Sequence, residues 1–185
     1  MLDKKRVIIV FSIICFVVLS ILGVYHLFIK EDEEEIIEYT PQEEISEEQM
    51  RQTIISLYYL NGNQLLPEAR MIDVKELIEN PYKKILNLLI EGPKNENLKN
   101  AMPEGTKINK IEKQGENLII DFSKEFIENH GGGEEQEKLT IKAIVNTVTE
   151  LTEINGIKIL IDGKENKSFK DEKINFKNIF TRENI

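Results

Sequence analysis

The stretch LTIKAIVNTVTELTEINGIKILIDG, residues 139–163, decides the fold of this chain. Its first half predicts a helix, because apolar residues recur at steps of three and four between Ile141 and Leu151. Such a stripe buries one face of a helix in a core. Asn155-Gly156 predicts the end of this helix, since both residues tolerate the left-handed conformation found past helix ends.

The second half of the stretch predicts a buried strand. Ile157–Ile161 is an apolar, β-branched run interrupted only by Lys158, which is typical of a strand packed against a helix. Asp162-Gly163 then predicts a turn. We therefore interpret the other elements of the folded part as completing this helix–turn–strand unit.

The preceding residues predict the remaining elements. Asn61-Gly62-Asn63 is a hairpin signal between two strands, and Asn80-Pro81 and Gly92-Pro93 are the start and stop signals of a helix. The predicted elements are strands over 53–60, 64–74, 107–113 and 117–122, a helix over 81–91 and a helical turn near 126–127. About five strands and two helices predict a single α+β sandwich.

Charge is distributed unevenly along the chain. The net charge is −9, yet residues 31–50 hold ten acidic and no basic side chains, while residues 52–185 hold 22 acidic and 19 basic ones. Nearly balanced charge without a basic stripe argues against nucleic-acid binding. We interpret residues 30–52 as an acidic, disordered linker, in preference to a tail that binds calcium or a cationic polymer.

The N-terminal region predicts a membrane anchor. Residues 7–29 contain no Asp, Glu, Lys or Arg, and as a helix they would reach about 35 Å, enough for a bilayer core of roughly 30 Å. The basic stub 1–6 precedes this predicted transmembrane helix, so the N-terminus is expected in the cytoplasm and the domain outside. No small-x-small cleavage site follows, which favours an uncleaved anchor over a signal peptide. Cys15, the sole cysteine, leaves no partner for a disulfide or a cysteine-based zinc site.

Two groups of polar residues are candidates for a contact site. Asn146 and Thr147 interrupt an apolar helix, and buried polar groups require partners. We favour a structural hydrogen bond to a neighbouring element over a contact in a ligand groove. Arg70 with Glu68 is either a salt-bridged sheet edge or a partner contact, and the sequence leaves both open.

The chain offers little for catalysis. Asp121 and Asp162 are the one carboxylate pair considered for cleaving glycosides, but Asp at strand ends more often caps turns. His130 stands beside a glycine run without an evident nucleophile. Gly131–Gly133 could present an anion site at a helix N-terminus, but the acidic residues that follow favour a flexible connector. We predict no catalytic, cofactor-binding or metal-binding residues.

Seven short motifs resemble the GerMN domain of sporulation and spore germination proteins of Gram-positive bacteria, and the resemblance covers nearly all of residues 53–170. The motifs keep the order and spacing of that family: Leu57-Tyr58-Tyr59, Leu66-Pro67-Glu68-Ala69-Arg70, Leu88-Leu89-Ile90-Glu91-Gly92-Pro93, Met102-Pro103-Glu104-Gly105-Thr106, Ile120-Asp121-Phe122-Ser123, Val145-Asn146-Thr147-Val148-Thr149-Glu150 and Ile159-Leu160-Ile161-Asp162-Gly163. Arg70, Asn146, Thr147, Asp162 and Gly163 are thus the motif residues that we single out.

The resemblance implies an extracytoplasmic α+β domain similar to the ring-building motif of envelope-spanning assemblies. We expect a GerMN domain over 53–170 and a C-terminal tail or last strand over 171–185. The expected role is a non-enzymatic binding or assembly module in sporulation or germination. The expected partners are the membrane, an envelope protein or peptidoglycan, and further copies of the chain. The alternative is a cell-wall-modifying enzyme that uses a carboxylate pair.

Overall fold

A computed structural model describes residues 4–28, 51–165 and 167–185 and divides the chain into two units, Met1–Glu44 and Ile45–Ile185. The first unit contains helix α1 (Lys4–Phe28). Across the three described ranges, no helix is identified as long and apolar enough to span a membrane. Residues 30–50 of the predicted linker, and residues 1–3 of the basic stub, lie outside the described part of the chain.

The second unit begins with a hairpin of two ten-residue strands, β1 (Gln52–Asn61) and β2 (Gln64–Asp73), which form a sheet of their own. Gly62 adopts a positive φ of 62° in the connecting turn, as a two-residue hairpin loop requires. Alternate residues of β1 point inward, and Leu57 and Tyr59 are fully buried. The predicted hairpin and its turn are confirmed.

Two helices follow the hairpin. The predicted second strand ended at Val74, but Asp73 instead caps a short helix, α2 (Val74–Ile78), and accepts a 2.8 Å hydrogen bond from the Lys75 amide. α3 (Pro81–Glu91) begins as predicted, with the Asn80 side chain accepting from the Lys83 amide at 2.9 Å. Gly92 ends α3 at a φ of 102°.

The main sheet has four strands in the order β3-β4-β5-β6. They are β3 (Ile108–Gln114), β4 (Asn117–Phe122), β5 (Gly156–Ile161) and β6 (Phe180–Thr181). β4 and β5 are parallel, while the outer pairs are antiparallel. Parallel neighbours require a crossover, and α4 (Glu125–Glu128) and α5 (Glu134–Val148) lie within it.

The predicted end of the main helix was wrong. α5 stops at Val148, and Gly156 is a strand residue without a positive φ. Glycine is needed at position 156 for a different reason. A Cβ at Gly156 would lie 2.7 Å from Ile179 Cγ2 and 3.0 Å from the carbonyl oxygen of Phe180, so the close passage of β6 requires glycine there.

The core lies where the sheet, the hairpin and the long helices α3 and α5 meet. Both strands of the parallel pair, β4 and β5, contribute fully buried residues to the core, and the C-terminal residues add aromatic rings to it. Phe122 and Phe126 stack with ring centroids 4.7 Å apart, and Phe169 meets Phe176 edge-on at 5.1 Å. The whole core belongs to residues 45–185, so we expect this unit to fold on its own.

Candidate functional site

Arg70 lies in a buried junction between the hairpin and the end of α3. Its side chain is almost fully buried, pairs through Nε with the Glu68 carboxylate, and donates from Nη2 to the carbonyl oxygen of Gly92 at 2.8 Å. Glu68 also accepts the backbone amides of Lys94 and Asn95 at 2.8–3.1 Å. The pair therefore holds the loop after α3 against β2, and its guanidinium is not presented to a partner.

The electrostatics of this junction fit its structural role. Burial acts to raise the pKa of Glu68, but the hydrogen bonds from Asn95, Arg70 and Lys94 outweigh it and lower the pKa. The Tyr59 hydroxyl lies 2.9 Å from the carbonyl oxygen of Leu88 and 3.0 Å from that of Gly92, and burial raises its pKa. The last carbonyls of α3 thus find partners inside the protein.

Asn146 and Thr147 join α5 to two other elements. Thr147 is buried, and its Oγ1 accepts the backbone N–H of Tyr58 at 3.1 Å, at the outer edge of β1. The main-chain oxygen of Asn146 accepts Arg182 Nη2 at 2.9 Å. Arg182 also bonds to Thr149 Oγ1 at 2.6 Å, which places a cation at the C-terminal end of α5, where the helix dipole favours it.

No sequence pattern indicated a role for Arg182, because this residue belongs to a C-terminal tail without clear periodicity, far along the chain from its partners on α5. A groove of about 600 Å³ opens beside it, lined by Thr149, Thr152, Asn155 and Thr181. Glu183 lines the groove as well, so its wall is polar and carries a carboxylate, while the Arg182 guanidinium is bonded to the end of helix α5.

Asp162 and Gly163 form the turn that follows β5. Both have positive φ angles, 47° and 71°. The Gly163 amide donates to Asp121 Oδ1 at 2.8 Å, and Asn109 donates to Asp162 Oδ1 at 3.2 Å. The two carboxylates of the predicted pair thus connect the turn after β5 to its neighbours, Asp121 from the end of β4 and Asp162 through Asn109 of β3.

His130 anchors the glycine loop that we predicted to be a flexible connector. Its Nδ1 accepts the Gly132 amide at 3.0 Å, which leaves the proton on Nε2, 2.9 Å from Thr140 Oγ1. Thr140 in turn donates to the carbonyl oxygen of Ala101 at 2.9 Å. Burial lowers the pKa of His130 against the opposing effect of Asp171, so the imidazole is neutral at neutral pH. It borders a groove of about 400 Å³.

Glu137, in the first turn of α5, is the most unusual ionisable group of the domain. Its side chain is fully buried, and neither carboxylate oxygen has a hydrogen-bond partner among the described residues. Burial, with the neighbouring Asp171 carboxylate, raises the pKa of Glu137 to about 7. The sequence pattern did not reveal that Glu137 is buried. A glutamate at the start of a helix normally faces solvent, where its negative charge interacts favourably with the helix dipole.

No cluster of three or more histidine, cysteine, aspartate or glutamate side chains suited to a metal occurs in residues 4–28, 51–165 and 167–185.

The exposed apolar side chains of the domain concentrate near the open end of the hairpin. Ile54 and Met71 are cross-strand partners on its outer face and are 68% and 67% exposed. α2 follows β2 directly, and its Val74 and Ile78 are exposed as well. We call these four residues the hairpin surface. An exposed apolar cluster of this kind commonly marks a protein interface.

The outer face of the hairpin is also uncharged at the next two cross-strand pairs toward the turn, Ser56 with Ala69 and Tyr58 with Pro67. Such a stretch differs from the composition of the chain as a whole, in which 31% of residues are charged.

These features define an α+β domain in which an independent hairpin and a mixed four-stranded sheet pack with two long helices, and whose motif residues hold the elements together. The chain belongs to the Germane family, described as sporulation and spore germination, whose sequence profile matches residues 56–167. The resemblance to GerMN domains inferred from the motifs is confirmed. No curated protein matches the chain.

Solved structures share the fold. The tandem GerMN domains of the sporulation protein GerM from Bacillus subtilis match with 19% identity and a TM-score of 0.59, over 72% of this chain and 46% of theirs. This chain thus spans about half of that tandem structure. The first GerMN domain of the same protein matches with 21% identity and a TM-score of 0.56, over 71% of this chain and 98% of that one. A putative lipoprotein from Clostridium perfringens matches with 24% identity and a TM-score of 0.51, over 75% and 93%.

Proposed function

We propose that this chain is a membrane-anchored, extracytoplasmic GerMN-domain protein that acts in sporulation or spore germination by non-covalent binding to another envelope protein. The observation that carries the binding role is the hairpin surface. Ile54, Met71 and Ile78 are each about two-thirds or more exposed, although an apolar side chain of that size gains roughly 1.5–3 kcal/mol from burial.

The membrane anchor is proposed from the sequence. Residues 7–29 lack charged side chains, a basic stub precedes them, and an acidic segment follows. The apolar side chains described in α1, from Ile8 to Tyr25, are exposed, as those of a lipid-facing helix would be. Full-length protein should stay in the membrane pellet after alkaline carbonate extraction, and protease added to protoplasts should remove the domain. Release by carbonate, or protection from the protease, would contradict the anchor or its orientation.

Protein is favoured over peptidoglycan as the partner because the hairpin surface is apolar, whereas glycan and peptide stems are recognised mainly through polar and charged groups. The enzyme alternative gains no support from the site geometry. Asp121 accepts the amide of Gly163 in the turn after β5, and Asp162 accepts the side-chain amide of Asn109 on β3. His130 is bonded on both ring nitrogens. The non-enzymatic role therefore forms part of the proposal.

The binding role is tested with full-length protein carrying Ile54→Ser together with Met71→Ser. Both side chains are mostly exposed, so the double variant should keep the wild-type circular dichroism and melting temperature. It should lose capture of the partner in membranes from sporulating cells, and it should fail to restore spores that germinate in a deletion strain.

Ile179→Ser provides the control, because Ile179 is an apolar residue that is 39% exposed and lies just before β6, away from the hairpin in the chain. Its side chain passes close to Gly156, so the fold of this variant is checked by the same circular dichroism and melting measurements. It should bind and complement like the wild type. A folded double variant that still binds and complements would overturn the assignment of the hairpin surface.

A further inference from the structure

The free edge of β1 is blocked at one end and open at the other. The backbone N–H of Tyr58 is taken by Thr147 Oγ1 at 3.1 Å. Leu60 exchanges two hydrogen bonds with Lys99, at 2.9 and 2.8 Å. Both residues thus direct their backbone groups away from β2. Pro67, opposite Tyr58, has no N–H to offer and fits this arrangement.

The same alternation fixes the direction of the preceding residues. In an antiparallel strand, every second residue directs its N–H and C=O to the same side. Gln52, Ile54 and Ser56 therefore direct theirs outward as well. Among the described residues, none of these outward groups has a hydrogen-bond partner.

The open edge of β1 also lacks the features that usually prevent an edge strand from pairing with another chain. Residues 52–56, QTIIS, contain neither a charge nor a proline, whereas natural edge strands commonly carry both. The other described edges differ. The β2 edge has Pro67 and the Glu68 contacts to Lys94 and Asn95, the β3 edge carries lysines and a glutamate, and β6 has only two residues.

We propose that the open edge of β1 pairs with β1 of a second copy of this chain, antiparallel and with Ile54 opposite Ile54 of the second copy. This register places Gln52 opposite Ser56 in both directions, so all three outward residues exchange hydrogen bonds. If the centre of the pairing moved by one residue toward Tyr58, the bonded backbone groups of Tyr58 would enter the intermolecular ladder. Fewer of the unpaired groups of Gln52, Ile54 and Ser56 would then form hydrogen bonds. A two-fold arrangement of this kind closes as a dimer.

A second copy is the favoured occupant because the uncharged edge is complementary to itself. In this register no charged side chains of residues 52–56 face each other, so no charge repulsion opposes the pairing. The edge of a second copy also supplies the partner strand. The inference rests on the proposed function in one respect, since anchoring both copies in the same membrane raises their effective concentration. The pairing would join two hairpins into one four-stranded sheet and bring their hairpin surfaces side by side.

Disulfide trapping tests the register. Residues 45–185 contain no cysteine, so Ile54→Cys introduces a single thiol into this unit. In the proposed pair the two Cα atoms would lie about 5.5 Å apart, within the range that a disulfide spans. Mild oxidation should convert most of the variant to a covalent dimer, both in this unit and in the full-length chain carrying Cys15→Ser.

Met71→Cys is the matched control, since Met71 is equally exposed and pairs with Ile54 on the same face. Two Met71 residues would be separated by three strand spacings, about 14 Å, so they should not cross-link. Equal cross-linking of both variants, or of neither, would overturn the proposal.

Ser56→Pro tests the hydrogen bonds of the edge. The Ser56 N–H points away from β2, so proline there keeps the hairpin ladder intact but removes an intermolecular donor. Light scattering should give twice the monomer mass for the wild type and for Ser56→Ala, and the monomer mass for Ser56→Pro. A dimer that survives Ser56→Pro would place the contact elsewhere and overturn the proposal.

A wild-type monomer would also overturn it. If the chain does not pair with itself, the comparison of partner capture between the wild type and the Ile54→Ser, Met71→Ser double variant can still be made. The two proposals can therefore fail independently.

Discussion

Replacing Glu137 by glutamine should stabilise the domain at alkaline pH and leave it nearly unchanged at acid pH. The wild-type carboxyl group is fully buried, has no hydrogen-bond partner among the described residues, and lies near the Asp171 carboxylate. Its charged form is therefore disfavoured in the folded state. Glutamine keeps the size and shape of the side chain but cannot ionise. The comparison therefore isolates the free-energy cost of the buried charge.

The sign and size of the change in unfolding free energy follow from the pKa of Glu137, which folding raises from 4.5 to about 7. Below the unfolded value both states are protonated, and the wild type has its full stability. As the pH rises through the folded value, the folded state must release a proton that the unfolded state has already lost, so stability falls. A difference of about 2.5 pKa units corresponds to about 3 kcal/mol, reached above pH 7.

The assay is urea unfolding of residues 45–185 at about pH 4 and about pH 8, the two sides of this window. Glu137→Gln should be close to the wild type at the lower pH and more stable by about 3 kcal/mol at the higher one. Glu135→Gln is the control, because Glu135 lies in the same helical turn but is exposed. A Glu137→Gln effect that is the same at both pH values, or destabilising at the higher one, would refute this reasoning.

Two further predictions concern structural contacts, and a third concerns the enzyme alternative. Arg70→Met should destabilise residues 45–185 by about 3 kcal/mol in urea unfolding, because it leaves Glu68 buried without its cation; a loss typical of a surface pair would contradict the buried junction. Gly156→Ala should cost about 1–3 kcal/mol through its contact with β6, whereas Gly131→Ala, which meets nothing within 4 Å, should be nearly neutral; equal effects would refute the close-passage argument. Asp121→Asn should release no less muropeptide from purified sacculi than the wild type does, since neither is expected to release any; activity that the substitution abolishes would establish the enzyme alternative.

The sequence was most informative where local patterns and tertiary packing agree. The apolar stripe of α5 and the β-branched run of β5 predicted both elements, because each buries a continuous face in the core. Turn and capping residues such as Gly62 and Asn80 act through the local backbone, so their effects were also predictable.

What the sequence could not show depends on contacts between distant residues. The position of Gly156 is explained by the passage of β6, not by the end of a helix, and Arg182 reaches α5 from a distant part of the chain. Glu137 has the composition of an ordinary helix start, and only packing makes it buried. The open edge of β1 depends on where Thr147 and Lys99 dock, which no periodicity encodes.

The most direct test of the hairpin surface as the binding site is photo-cross-linking in sporulating cells. A benzoylphenylalanine placed at Met71 in the full-length chain should form a specific adduct with an envelope protein. The same residue at Lys113, an exposed position on β3, should not form it. Identical adducts at both positions, or none at Met71 in cells that sporulate and germinate normally, would contradict the proposal that this domain acts by binding through its hairpin.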